Sequence, residues 1–174
     1  MVALAPAATH TVPGPVLYVG DSLGVATLPR LVTALPRVSF DGDAAVGRTS
    51  AQGLTVLRAR MLARHRVVIF DLGTNDPDPA ALTRSLRGLR HEAGNREIVV
   101  FTINKPGAEP YNHAIKRFAA PGDGVVVLDW HATAVRERLL AGDCVHASVS
   151  GYARRARLVA GCLSEASIEP SPAS

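Results

Sequence analysis

Gly20-Asp21-Ser22-Leu23-Gly24 directly follows the short apolar run Val16-Leu17-Tyr18-Val19. A serine at the tip of a first strand, flanked by glycines, is placed to expose its hydroxyl for nucleophilic attack. The glycines permit a tight turn and the close approach of a ligand to the backbone. A Ser or Asp between a strand and a helix also serves as a helix N-cap, so five residues alone fix neither role.

Three further segments bear on the choice. Val46-Gly47-Arg48-Thr49-Ser50 puts a glycine where a backbone N–H can face a reacting carbonyl with no Cβ in the way, or where it merely precedes a helix capped by Thr49 or Ser50. Gly73-Thr74-Asn75-Asp76 is a polar turn leading into Pro77, and the Asn75 amide can donate to a developing oxyanion. Asp143-Cys144-Val145-His146 spaces a carboxylate and an imidazole three residues apart, so that they can meet across one turn. Asp143 would then orient His146, fix its tautomer and stabilise the imidazolium that forms. Each segment read singly is a turn or a cap. Taken in order they hold a nucleophile, a base, an orienting acid and two extra oxyanion donors, which are the parts of an acyl-transfer site. Arg48 and Asp76 adjoin two of these positions and are candidate substrate contacts. Arg48 either binds an acidic substrate or pairs with Asp41 or Asp43.

Those residues need a scaffold that brings distant segments to one edge. Five apolar, β-branched-rich runs suit strands buried on both faces of a parallel sheet: Val16–Val19, Arg37–Phe40, Val67–Leu72, Glu97–Ile103 and Val125–Trp130. Between them the sequence predicts helices over 24–34, 50–64, 79–93, 110–119 and 133–140, with a last one over 148–165. Pro29 is expected to shorten the first, and Pro79 to open the third at a position where its missing N–H costs nothing. Strand then helix, repeated, is the pattern of an α/β sandwich with right-handed crossovers. The irregular stretch Asn104–Pro110 is expected to overhang the same sheet edge as Ser22. A single domain over 16–165 is expected, with a leader or linker over 1–15 and a tail over 166–174.

Gly20-x-Ser22-x-Gly24 fits the nucleophile elbow of α/β-hydrolases, but its position argues against that fold. It follows the first strand, no HGGG-like stretch is present, and the acid and base are only three residues apart. The full set instead resembles the SGNH, or GDSL, hydrolase family from about Val16 to Leu163. The four residues of that family's name match Ser22, Gly47, Asn75 and His146, with Asp143 three before the histidine. The resemblance implies a three-layer α/β/α sandwich, flavodoxin-like, with a five-stranded parallel sheet. With strand order 2-1-3-4-5, Ser22 and Asn75 would flank the switch point where such sheets bind ligands. Val46-Gly47-Arg48 is similar to the second block of extracytoplasmic domains of bacterial O-acetyltransferases that modify peptidoglycan or surface polysaccharide. Asp76 closes the third block as in ordinary esterases of the family. Cys144 and Ala147 stand where Gly and Pro are common, which predicts an altered histidine loop.

Composition bounds what else the chain can do. Its 174 residues and 47% hydrophobic content support a real core and exclude wholesale disorder. No apolar run approaches the ~20 residues of a membrane-spanning helix. Residues 1–15 lack a basic n-region and an unbroken apolar core, so they read as a poor signal peptide. The compartment is therefore expected to be cytoplasmic for a free-standing chain, and extracytoplasmic for a piece of a membrane acyltransferase. Net charge is +4, carried almost wholly by Arg at helical positions such as 84, 87, 90, 154, 155 and 157, which read as solvated faces. No aromatic interleaving accompanies them, so no nucleic-acid partner is expected. Cys144 and Cys162 are too far apart along the last helix for a disulfide, and two free thiols are expected. His10 falls in the leader, and His65, His91 and His113 are expected on exposed helical positions. His131 follows Asp129-Trp130 without a usefully spaced carboxylate. The cysteines and histidines show no metal-ligand spacing, and no GxGxxG or P-loop is present, so neither metal nor cofactor is expected.

The expected reaction is hydrolysis of a small acyl ester, acetyl above all, on a small molecule or glycan. Ser22, His146 and Asp143 would act as the triad, and the N–H groups of Ser22 and Gly47 with the Asn75 amide as the oxyanion hole. The alternatives are transfer of the acetyl group to peptidoglycan or surface polysaccharide, and a non-catalytic carbohydrate-binding module on the same fold. Oligomeric state leaves no signature in the sequence.

Overall fold

A computed structural model describes residues 14–166. Expectations for the leader, including His10, and for residues 167–174 lie outside the described residues. Five strands form one parallel sheet in the order β2-β1-β3-β4-β5. They are β1 (Val16–Gly20), β2 (Phe40–Ala44), β3 (Val67–Asp71), β4 (Glu97–Phe101) and β5 (Val125–Leu128). Helices α1 (Ser22–Ala34), α2 (Ser50–Arg60), α3 (Pro79–Ala93), α4 (Glu109–Phe118), α5 (Trp130–Arg136) and α6 (Val149–Ala166) alternate with them.

The central strands are apolar throughout because each face carries its own core. Leu17, Val19, Val68, Phe70, Ile98 and Val100 pack against α2, α3 and α4. The alternate residues Val16, Tyr18, Val67, Ile69, Val99 and Phe101 pack against α1, α5 and α6. This two-residue alternation sends successive side chains to opposite layers and yields the α/β/α sandwich. The chain leaves β1 for β2 on one side and then crosses to β3 on the other. The switch point thus lies between the ends of β1 and β3, above which open α/β sheets form a crevice.

Several expectations are corrected. The second strand is Phe40–Ala44, not Arg37–Phe40, with Val16 opposite Phe40 and Gly20 opposite Ala44. It is an edge strand, half-buried throughout, so Asp41 and Asp43 are admissible and no apolar run marks it. The second helix stops at Arg60, and His65 is buried rather than exposed. His65 Nδ1 accepts the Leu62 N–H at 3.0 Å, and burial holds its pKa below the usual histidine range. Arg155, expected on a solvated face, is instead fully buried. Helix α1 also runs through Pro29 to Ala34. Other element ends shift by a few residues, as is usual for frayed termini.

Candidate active site

The end of β1 carries two adjacent polar residues with separate jobs. Asp21 is the N-cap of α1, and its Oδ1 accepts the Leu23 N–H at 2.9 Å. Ser22 is the first helical residue and is half-buried, so its hydroxyl is left free of capping. Ser22 Oγ lies 3.0 Å from His146 Nε2.

His146 comes from a loop closed at its base. Leu140 and Ala147 form an antiparallel bridge, Ala141 N–H donates to the His146 carbonyl at 2.8 Å, and Ser148 N–H donates to the Leu139 carbonyl at 2.7 Å. Gly151 lets the first turn of α6 lie against this base, since a Cβ there would meet the Leu139 carbonyl oxygen at 2.3 Å. Inside the loop Asp143 Oδ1 accepts the N–H groups of Val145 and His146, at 3.0 and 2.9 Å. Its Oδ2 lies 2.6 Å from His146 Nδ1. These bonds, the one to His146 foremost, hold the Asp143 carboxyl down at about 2. An ionised carboxylate only accepts, so Nδ1 carries the proton and Nε2 is left to accept from Ser22 Oγ–H. Cys144 takes φ +58, the left-handed conformation that suits the glycine whose place it holds. It is exposed, and no disulfide joins it to Cys162.

The remaining candidates lie on the loops after β2 and β3. Gly47 has φ +75, with open space where a Cβ would project, so backbone conformation and not crowding calls for glycine. Thr49, with Gln52, forms the capping box of α2. The Asn75 amide nitrogen donates to Asp21 Oδ2 at 3.3 Å and to the Arg48 carbonyl at 3.1 Å, which ties the β1, β2 and β3 loops together. Of the two expectations for Arg48, pairing with Asp43 is what the geometry realises, at 2.5 Å, with further bonds to the Asp43 and Gly20 carbonyls. Asp76 is turned inward, and its Oδ1 accepts the Ser50 N–H at the start of α2 at 2.8 Å. Its backbone carbonyl accepts from Lys105 Nζ, so the Asn104–Pro110 stretch does lean over this edge. His131 stands apart, its Nδ1 2.7 Å from Asn104 Oδ1 rather than beside a carboxylate.

Sequence reasoning missed what lies beneath Ser22. Arg155 of α6 donates to both carboxylate oxygens of Asp71 at 2.6 and 2.7 Å, and its Nε donates to Thr27 Oγ1 at 3.2 Å. Tyr18 O–H donates to Asp71 Oδ2 at 2.6 Å. The guanidinium is stacked between Phe101 and Trp130, 4.4 and 4.9 Å from the ring centroids. Asp21, buried above this pair, has its carboxyl pushed up to about 7 by burial and then by the Asp71 charge. A signal for Arg155 existed: it falls on the stripe Tyr152, Arg155, Ala156, Val159, Leu163, at the spacing of a core-facing helix side.

Solved structures superpose on this fold over most of its length. The C-terminal catalytic domain of peptidoglycan O-acetyltransferase A (OatA) from Streptococcus pneumoniae superposes with a TM-score of 0.75 at 20% identity, over 91% of this chain and 97% of that one. A GDSL-like lipase from Bacteroides thetaiotaomicron gives 0.73 at 15% identity, over 87% and 88%. The chain has the SGNH hydrolase fold. A family 3 carbohydrate esterase from Clostridium thermocellum has it too, with a TM-score of 0.66 at 17% identity over 88% and 98%. No protein-family model matches the sequence, and comparison with curated proteins returns no match. On the SGNH fold of this chain, Ser22 and His146 are in contact beside the switch point, and the Asn75 amide reaches Asp21 and the Arg48 carbonyl next to them. Among the described residues no cluster of His, Cys, Asp or Glu is arranged to hold a metal, and no helix is long and apolar enough to cross a membrane.

Proposed function

We propose that the chain is a serine esterase that hydrolyses small acyl esters, acetyl esters first among them, on a small molecule or glycan. The observation that carries the reading is the continuous relay from Ser22 Oγ to His146 Nε2 at 3.0 Å and from His146 Nδ1 to Asp143 Oδ2 at 2.6 Å. His146 takes the Ser22 proton as Oγ attacks the ester carbonyl, and Asp143 stabilises the imidazolium. The tetrahedral oxyanion is held by the N–H groups of Ser22 and Gly47 and by the Asn75 amide. The Asn75 amide donates to Asp21 and to the Arg48 carbonyl at 3.3 and 3.1 Å, and the longer contact, to Asp21, is the one that yields to the oxyanion as a stronger acceptor. His146 then protonates the leaving alcohol, and water activated by the same ring releases the acid. Ser22→Ala is expected to abolish turnover of p-nitrophenyl acetate and labelling by a fluorophosphonate. Retained activity in that variant excludes this nucleophile. A series of nitrophenyl esters tests the acyl size, and a preference for long chains counts against acetyl.

A second reading is transfer of the acetyl group to a sugar hydroxyl of peptidoglycan or surface polysaccharide. Gly47-Arg48 and the likeness to the Streptococcus pneumoniae O-acetyltransferase domain favour it. Incubation with p-nitrophenyl acetate and a chito-oligosaccharide separates the two: acetylated sugar supports transfer, and free acetate alone supports hydrolysis.

A further inference from the structure

Helices α3 and α4 lie side by side on one face of the sheet and leave a groove between them, a cavity of about 590 Å³. Its shape follows from the two facing stripes. Small residues, Ala80 and Thr83 on α3 and Ala114 on α4, keep the helices' upper turns from filling the gap. Further along, Arg87 and Arg90 on α3 face Arg117 and Phe118 on α4, with His113 between. Pro79 and Pro110, in the first turns of the two helices, mark the mouth. Because every strand is parallel, that mouth opens at the same end of the sheet as Ser22, in the helical layer opposite α1. From Pro79 to Arg90 the groove follows about 16 Å of helix.

The charge on its walls is one-sided. No acidic side chain lines it. Arg90 is held by Asp123 at 2.5 Å, while Arg87 and Arg117 are exposed and have no ion-pair partner among the described residues. Cationic groups of one sign on concave low-dielectric walls focus their field into the groove, and planar guanidinium groups match carboxylate and phosphate oxygens. The aromatic content argues against a nucleic acid. Phe118 is the one aromatic residue of the lining, and a face of its ring is covered by the Arg90 guanidinium at 4.8 Å, so the groove has no row of rings on which bases could stack.

We propose that the α3–α4 groove binds an anionic glycan chain, through carboxylate or phosphate groups held by Arg87 and Arg117, and feeds its esterified unit toward Ser22. This rests on the esterase reading for the direction of the chain but not for its binding. The test uses the full chain as wild type, as Ser22→Ala and as the double variant Arg87→Glu/Arg117→Glu. Both arginines are exposed, so the double variant is expected to fold, which thermal unfolding checks. Calorimetric titration at low ionic strength compares oligogalacturonate, a glycerol phosphate oligomer, a neutral cello-oligosaccharide, inorganic phosphate and a single-stranded DNA oligomer. At least one of the two anionic oligomers is expected to bind wild type and Ser22→Ala alike, at least tenfold more weakly to the double variant, and more weakly as salt is added. Whichever binds tighter names the anion. The double variant is expected to keep its p-nitrophenyl acetate turnover. Equal binding of the neutral oligosaccharide, affinity within twofold in the double variant, failure of both anionic oligomers, or tighter binding of phosphate or DNA overturns the proposal. Failure of the wild type to bind either anionic oligomer while it turns over p-nitrophenyl acetate removes this proposal alone, and absent wild-type turnover with intact binding removes the esterase reading alone.

Discussion

Arg155→Met keeps much of the side-chain volume at the centre of the α6 packing but leaves the Asp71 carboxylate buried with only the Tyr18 hydroxyl as a described side-chain partner. Both residues are buried, with Arg155 at 0% exposure, so solvent cannot take over the lost contacts. Removing one member of such a pair costs about 3–5 kcal/mol, because the partner's charge stays desolvated. Against a usual stability of about 5–15 kcal/mol this is a large fraction. It corresponds to a fall in Tm of roughly 6–20 °C for a chain of this size. Urea unfolding gives the midpoint and slope, and calorimetry the Tm. The double variant Arg155→Met/Asp71→Asn removes the stranded charge and is expected to recover at least about 2 kcal/mol of the loss, a coupling that a double-mutant cycle reads directly. A loss below about 1 kcal/mol in Arg155→Met, or a double variant no more stable than the single one, would falsify the assignment of Arg155 and Asp71 as a dependent pair.

Three further outcomes follow from the site. Asp143→Asn strips the charge that fixes the His146 tautomer and is expected to lower kcat by up to about 10⁴ with little change in KM, whereas a change under threefold would mean that the relay is idle. The raised Asp21 carboxyl makes stability depend on pH with a definite sign. The folded state holds that proton more tightly than the unfolded one, so its contribution is complete below 3.8, falls as pH rises and is gone above about 7. Asp21→Asn, which keeps a good N-cap, is expected to flatten the urea midpoint over that window; parallel pH curves for the two proteins would refute the shift. Cys144→Gly relieves a left-handed backbone at φ +58. It is expected to keep esterase activity and to leave stability unchanged or raise it by up to about 1 kcal/mol, and a loss larger than that in urea unfolding speaks against strain at this position.

The central strands were legible because burial on both faces demands unbroken apolar runs, and β1, β3 and β4 have them, while the edge strand β5 keeps an apolar run although it is mostly half-buried. β2 was displaced by a few residues because an edge strand hydrogen-bonded on one side carries no such demand. Its sequence Phe40-Asp41-Gly42-Asp43-Ala44 reads as a turn, and only the pairing with β1 makes it a strand. Asp41 and Asp43 then serve Arg60 and Arg48 rather than water. His65 and Arg155 were misread for a related reason. Residue type argues for solvent, and burial is made tolerable by contacts that residue type does not show, the distant Asp71 carboxylate for Arg155 and the Leu62 N–H bond to Nδ1 for His65. Arg48 and Asp76 were legible as residues near the site but not as to which way they point, since that depends on the β2 edge and on the start of α2.

At the ends of β1 and β2 the structural and the chemical role fall to neighbouring residues. Asp21 caps α1, so Ser22 Oγ is free to meet His146. Thr49 caps α2, so Gly47 is left free of capping in the turn that precedes it. Asp143 is the instructive exception, because one oxygen holds the loop through two backbone N–H groups while the other faces the imidazole. A carboxylate that builds the loop and orients the ring together cannot be lost without disturbing both, whereas Thr49 acts as a cap and Asp21 joins its cap to a contact with the Asn75 amide. Segments of the form cap-plus-nucleophile or cap-plus-glycine therefore look ordinary one at a time. They become legible as a site only when several of them fall on the carboxyl ends of adjacent parallel strands.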